Sequence, residues 1–343
     1  MKRNLILILL AIFSLVMVAC SSSDNEEGNG ESKETDKDGD ELLIGGAIMN
    51  YAWPWFLGTM EGMEEEAKNY DDKVVTFEFH DGQNDINTQI NQLENMAQKG
   101  IDGLVIFPTD TKAIIPTMVK LHEQGIKIVV GDYPQTPDSE DEIVWETFVG
   151  HDFKAMGEVA GRIAVADLKE RGIEEPTVVY LSLPSSGEAS NDRFEGFSQT
   201  IKKEFPNANI IEEGDSEGSR NSSQTLFENV LQRQKEVDIV SGHNDSLVLG
   251  AYSAAISSGK DKDIRFIGMA GDKEVLKHIQ DGNESWIGEV LQDPVVLGET
   301  ALKALLESLD GAELDERYPL PEPEAIIPDN ISDYDWENWE WLG

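Results

Sequence analysis

Short apolar runs, many of them β-branched, alternate along this chain with stretches whose apolar positions recur every three or four residues. The first pattern predicts strands and the second amphipathic helices. "LLIGGAI" is apolar throughout, as a strand buried on both faces should be, and "LGTMEGMEEEAKNY" after it predicts a helix. "KVVTFEFH" predicts the next strand. In "NTQINQLENMAQKG", Ile90, Leu93 and Ala97 fall on one helical face and Gly100 is a stop signal. "IDGLVIF", "IIPTMVKLHEQG" and "IKIVVGD" continue as strand, helix and strand. The rhythm restarts at "DFKAMGEVAGRIAVADLKERG", "TVVYLSL" and "NDRFEGFSQTIKKEF". It runs on through "ANIIEEG", "SSQTLFENVLQRQ", "VDIVSG", "SLVLGAYSAAISSG" and "IRFIGM".

Repeated strand–helix alternation predicts parallel sheets with helices on both faces. Two successive runs of it predict an α/β fold of two doubly wound parallel-sheet lobes, as a chain too long for one core also requires. Ligands of such sheets bind beyond the carboxyl ends of the strands. That points to the strand-ending turns "MNYAWPWF", "FHDGQND", "FPTD", "GDYP", "SLPSSG", "SGHND" and "GMAGD". The first is unusual, because Tyr51, Trp53, Trp55 and Phe56 crowd a turn that is ordinarily small and polar.

The N-terminus carries a different pattern. Lys2 and Arg3 precede "NLILILLAIFSLVMVA", an apolar run short for a membrane span, so residues 1–19 are expected to be a secretory signal. The junction "MVAC" resembles the lipoprotein signal, with Met17 in place of the more usual leucine. Cys20, the only cysteine, is then the lipidation site, and two acyl chains anchor stably where one is marginal. Residues 20–41 lack any large apolar side chain until the first strand begins and predict a disordered acidic tether. "DKDGD" within it lacks the glycine position and glutamate of a calcium loop. The expected location is extracytoplasmic, lipid-anchored to the cell membrane.

Charge narrows the partners. The chain has 27 Lys and Arg, two of them in the signal, against 67 Asp and Glu, so the net charge moves from −40 to −42 when the signal is removed. Nucleic acid is excluded as a partner, since binding it requires basic surface. The histidines His80, His122, His151, His243 and His278 fall at no metal-ligand spacing, and neither a phosphate loop nor a nucleophile elbow is present. No catalytic residue, metal or cofactor is expected. His243 is expected to be a satisfied turn histidine.

Taken in order, "PWFLGTMEGMEEEA", "DGQNDINTQINQLENMAQKGIDGLVIFPTD", "GIKIVVGDYP", "NDRFEGF", "GHNDSLVLGA" and "LQDPVVLGETALKALLE" resemble the type I periplasmic solute-binding proteins of the ribose and galactose group, over about residues 42–315. The resemblance implies two lobes joined by a three-strand hinge, with a small polyhydroxylated solute clamped between them. One lobe would be 42–150 plus 293–322 and the other 151–292 plus 323–343, with crossings near Gly150, Gln292 and Pro321 to Pro323. It implies an ABC permease as partner and a monomer. A ligand-sensing receptor serving a sensor kinase or chemoreceptor is the alternative on the same fold.

The resemblance also implies site residues. Aromatic rings cover the apolar faces of a sugar while donors and acceptors fix its hydroxyl rim. Trp53 and Phe56 are expected as those rings, with Trp55 and Phe56 also candidates for hinge or core packing, and Pro54 as the helix start. Asp132 is expected to accept hydroxyl hydrogen bonds, Asn244 to donate and accept, and Gln292 to contact the solute at the return crossing. Arg193 and Asn191 compete for one position in the same helical turn, and Asp245 is expected to cap the helix after Asn244. Tyr133, Phe107 and Ala270 stand at further positions where the resemblance implies contact with the solute, and there the chain departs from the family, whose ribose-type members carry polar groups. A solute with fewer hydroxyls is implied, such as a deoxysugar, furanose or small polyol, with Asp272 a partial substitute for the missing acid.

Overall fold

Strand pairing divides the protein into two sheets. A computed structural model describes residues 41–215 and 217–341; the expected signal peptide, nearly all of the tether and Cys20 lie outside the described residues. The first run of elements is β1 (Glu41–Ile48), α1 (Pro54–Asn69), β2 (Val74–Asp81), α2 (Ile86–Lys99), β3 (Gly103–Ile106), α3 (Ile115–Glu123), β4 (Lys127–Gly131) and β5 (Thr147–Val149). The second run is α4 (Phe153–Glu170), β6 (Thr177–Ser182), α5 (Glu188–Glu204), β7 (Asn209–Gly214), α6 (Arg220–Arg233), β8 (Ile239–Gly242), α7 (Asp245–Ser257), β9 (Arg265–Ala270), α8 (Lys273–Gln280) and β10 (Trp286–Leu291). Then come α9 (Pro294–Leu309), β11 (Arg317–Tyr318) and β12 (Ala325–Ile326).

One sheet runs β11-β5-β4-β3-β1-β2 and the other β12-β10-β9-β8-β6-β7. Every pairing is parallel except β10 with β12. Helices α1, α2, α3 and α9 cover the first sheet and α4 to α8 the second, which is the expected α/β fold of two doubly wound lobes. The chain passes between the lobes in the segments after β5, after β10 and between β11 and β12. Arg317 ties the first passage, its guanidinium donating to the carbonyls of Gly150 and His151 at 2.9 Å each while lying over the Phe148 ring.

Local chemistry explains the element ends that matter for the cleft. Pro54 sits in the first helical turn of α1, where its missing N–H leaves no bond unmade. Asp293 caps α9 by accepting from the Val295 and Val296 amides, again with proline behind it. The pair α1–α9 packs backbone to backbone: a Cβ on Gly62 would lie 2.0 Å from the Val295 carbonyl oxygen, and one on Gly298 2.0 Å from that of Thr59. Gly157 and Gly196 do the same for α4 and α5. These helix pairs fix the strand ends that face each other across the lobes.

Candidate functional site

The first turn is built by Asn50, whose side-chain oxygen accepts from the Ala52 amide at 2.9 Å while its carbonyl accepts from Trp53. That leaves Trp53 at the mouth of α1, 47% exposed and stacked on Phe56 at 6.0 Å. Phe56 is buried, edge-on to Trp55 and to Phe107. The ring offered to the cleft is therefore that of Trp53, with Phe56 as its backing. Trp55 has a separate role: its indole N–H donates to the Gln292 carbonyl at 3.1 Å, pinning α1 to the return crossing.

Phe107 corrects an expectation. It is fully buried, packed under Phe56 and over Gly131, where a Cβ would lie 2.4 Å from the phenyl ring. Its side chain is core, because the ring fills the space that Gly131 leaves open and has no surface to give a solute.

Asp132 follows β4 with a backbone φ of +69°, a left-handed conformation uncommon outside glycine and tolerated by Asp and Asn. It is 5% exposed, yet no described residue hydrogen-bonds to its carboxylate. Burial pushes its pKa up to about 7, and the positive charge of Arg193 only partly opposes this. A buried carboxylate left without donors is costly, and strain together with an unmet acceptor is a mark of a working site. Tyr133, next in the chain, is 42% exposed.

From the other lobe comes Arg193, buried on α5. One guanidinium nitrogen donates to the His243 carbonyl at 2.7 Å and lies 3.3 Å from His243 Nδ1; the other donates to Gln292 Oε1 at 2.6 Å. Its plane lies over Phe153, 4.9 Å from the ring centre, and its Nε has no partner among the described residues. Burial, then the Arg193 charge, holds His243 down to about 3. The imidazole is therefore neutral, and its Nδ1 accepts from the arginine. Asn191, the rival position in the same turn, is exposed while Arg193 is buried, so the helical phase turns Arg193 inward.

The turn after β8 holds a second correction. Asn244, not Asp245, caps α7: its Oδ1 accepts from the Leu247 amide at 3.0 Å. Its amide nitrogen makes no hydrogen bond among the described residues, and the side chain walls the smaller cleft cavity. Asp245 is instead buried beneath the turn, accepting from the amides of Met269, Gly271 and Asp272. Glu289 lies against it and accepts from Gly271 at 2.9 Å. Burial, then the Asp245 charge, pushes Glu289 well above its ordinary carboxylate range. This pair pulls down the amides around Ala270, whose φ is +124°. Asp272 is likewise committed, as the cap of α8.

Two cavities result, each lined from both lobes. One of about 290 Å³ is walled by Trp53, Trp55, Asn244, Ala270, Asp272 and Trp341. The other, about 390 Å³, has Tyr133, Phe153, Ser186 and Asp192 among its walls. A roomier depression of 670 Å³ lies on the outer faces of α4 and α5, away from any strand end. Phe153 and Trp341 were missed from sequence, while Trp55 takes the hinge-packing role expected for it; the closeness of Phe153 to the Gly150 crossing was a usable signal, while nothing local marked Trp341. Among the described residues no cluster of His, Cys, Asp or Glu is placed to hold a metal.

Two parallel-sheet lobes, three passages between them and a cleft at the strand ends define a two-lobed solute-binding protein. The family model described as a periplasmic binding protein domain matches residues 44–313, and the chain belongs to that family, among its type I sugar-binding members. The ribose import binding protein of Bacillus subtilis is 28% identical over 319 residues, covering 93% of this chain and 97% of that protein. The xylitol-binding protein of Mycolicibacterium smegmatis is 24% identical, covering 79% and 73%. An ABC transporter solute-binding protein of Bacillus halodurans, solved with bound myo-inositol, superposes with a TM-score of 0.66 at 25% identity, covering 88% and 99%. A periplasmic ribose ABC transporter protein from Conexibacter woesei shares the fold at a TM-score of 0.73 and 20% identity, covering 88% and 97%. These relatives are solute-binding proteins, not enzymes, and the family works outside the cytoplasm.

Proposed function

We propose that this chain is the lipid-anchored solute receptor of an ABC importer, holding one compact sugar or polyol-like solute between its lobes. In this reading residues 42–150 with 293–322 form one jaw and 151–292 with 323–343 the other. Trp53 covers an apolar face of the solute, Asp132 accepts hydrogen bonds from its hydroxyls, and Asn244 and Arg193 supply donors from the opposite jaw. Gln292 holds Arg193 in place and stands at the hinge. Tyr133 and Ala270 shape the rest of the cleft. The observation that carries the reading is Asp132: a buried carboxylate, backbone-strained and without a donor of its own, facing the charge of Arg193 across the lobes. Relatives named for ribose, xylitol and galactofuranose support the size and class of solute. The permease partner follows from the family's role in ABC import.

A thermal-shift screen of pentoses, hexoses, deoxysugars, polyols and cyclitols tests the proposal. A solute at 100 times its Kd stabilises the folded state by about 2.7 kcal/mol. A screen in which no such solute raises Tm, while amino acids or peptides do, removes the sugar assignment. Anchoring is tested apart, by labelling with a radioactive fatty acid: Cys20 takes the label and Cys20→Ala abolishes it.

A further inference from the structure

The C-terminal tail returns to the cleft. Beyond β12 it packs along the second lobe, where Ile331, Trp336 and Trp341 join the buried core and Trp339 stacks on Trp341 at 5.0 Å. The Tyr334 hydroxyl donates to Glu324 at 2.9 Å, fastening the tail near its start. Trp341, 4% exposed, nevertheless reaches the first lobe. A Cβ on Gly58 of α1 would lie 2.8 Å from its Cγ and 2.6 Å from the Pro294 ring, so the indole occupies a notch that only glycine leaves open. The same residue walls the 290 Å³ cavity together with Trp53, Asn244 and Asp272. One side chain thus belongs to the core of one lobe, contacts a helix of the other and lines the space between them.

We propose that Trp341 is a solute-site residue: docked in the Gly58 notch, it shuts the aromatic end of the cleft, limits the length of solute admitted and favours the closed arrangement. The proposal rests on the cleft being the solute site. A contact between the lobes that forms only when they approach shifts the open–closed equilibrium by its own differential free energy and no more. An indole wedged against a helix backbone at the jaw gap is such a contact, and it also removes water from the wall that meets the solute.

Trp341→Ala and Trp341→Phe in the full chain test this by two readouts. One is small-angle scattering of the solute-free protein. The other is calorimetry with whichever pentose, hexose or cyclitol binds the wild type. Trp341→Ala should shift the scattering toward a larger radius of gyration and weaken affinity roughly tenfold, with Trp341→Phe recovering most of both. Unchanged scattering and unchanged affinity in Trp341→Ala overturn the proposal. If Trp341→Ala does not fold, Gly58→Val fills the notch from the α1 side with Trp341 in place and is held to the same two outcomes. A wild type that binds none of these sugars overturns the solute reading instead, while the solute-free scattering still decides whether Trp341 holds the lobes together.

Discussion

Replacing Asp132 with asparagine should make the solute-free protein more stable at alkaline pH and a worse receptor. Asparagine keeps the shape and tolerates the left-handed backbone, so the change isolates the charge. Burial raises the carboxyl from its ordinary 3.8 to about 7. That gap corresponds to about 4 kcal/mol charged against the folded state once the group is ionised. The sign follows from linkage: with its folded pKa above its unfolded one, the group's contribution is intact below pH 3.8 and lost as pH rises through about 7. Asp132→Asn has no such loss. Its advantage over the wild type should widen by about 3 kcal/mol between pH 5 and pH 8, or roughly 5 °C in Tm for a chain of this size. Other titrating groups act on both proteins alike and cancel in the difference.

Binding should move the opposite way. A solute hydroxyl donating to the ionised carboxylate favours the charged form, so binding expels the proton and wild-type affinity climbs as pH rises toward about 7. Asp132→Asn should bind at least tenfold more weakly, about 1.4 kcal/mol, and lose that pH dependence. Calorimetry in buffers of different ionisation enthalpy counts the proton. The reasoning fails if Asp132→Asn is less stable than wild type at pH 8, because the carboxylate must then already have partners in the solute-free cleft. It fails equally if the variant binds as tightly as wild type.

Other expectations separate packing from contact. Asn244→Asp keeps the α7 cap, so its stability from thermal melts should stay within about 0.5 kcal/mol of wild type, while the lost amide donor weakens solute binding at least tenfold by calorimetry. Trp53→Phe should shrink the solute-dependent fluorescence change and cost about 0.5–1.5 kcal/mol of affinity; full retention of both would make the turn packing alone. Glu289→Gln should match wild type in acid and exceed it in alkaline melts. The raised Glu289 contributes fully below 4.5 and loses that contribution as pH climbs through its elevated value; equal pH profiles would deny that its carboxyl is raised.

The fold was legible because its strands are short apolar runs and its helices carry the 3.6 period, patterns local enough to read from neighbours. β5, β11 and β12 were not, since elements of two or three residues have no period and exist only by pairing with a strand distant in the chain, as Arg317 does with Phe148. The site was legible to the same depth. Asp132 stands at a strand end and declares itself. Asn191 and Arg193 differ by two positions in one helical turn, and only the way α5 packs on α4 decides which points inward. The cap expected of Asp245 falls to Asn244 because side-chain capping depends on which residue keeps an extended backbone, here Asn244 with φ −149° and ψ 169°. Phe107 stands at a strand end too, but a glycine on the neighbouring strand lets its ring turn into the core.

Counting polar groups says what the cleft asks of a solute. Asp132 brings two acceptor oxygens and no bound donor, so the solute must donate there. Asn244, which walls the smaller cavity, keeps a free amide nitrogen once its oxygen is spent on the cap, so in the proposed reading the solute must also accept. A hydroxyl does both, and neighbouring hydroxyls reach groups on opposite lobes at once. The acids beneath the second lobe's turn are occupied: Asp245 and Glu289 accept from the amides around Ala270, and Asp272 spends one oxygen on the α8 cap. In the proposed reading the carboxylate that meets the solute, Asp132, sits on the first lobe and the cation that answers it, Arg193, on the second. A molecule bridging them lowers the energy of the closed form relative to the open one, while a molecule satisfying either alone does not, and this is how a cleft of this composition makes closure depend on what it holds.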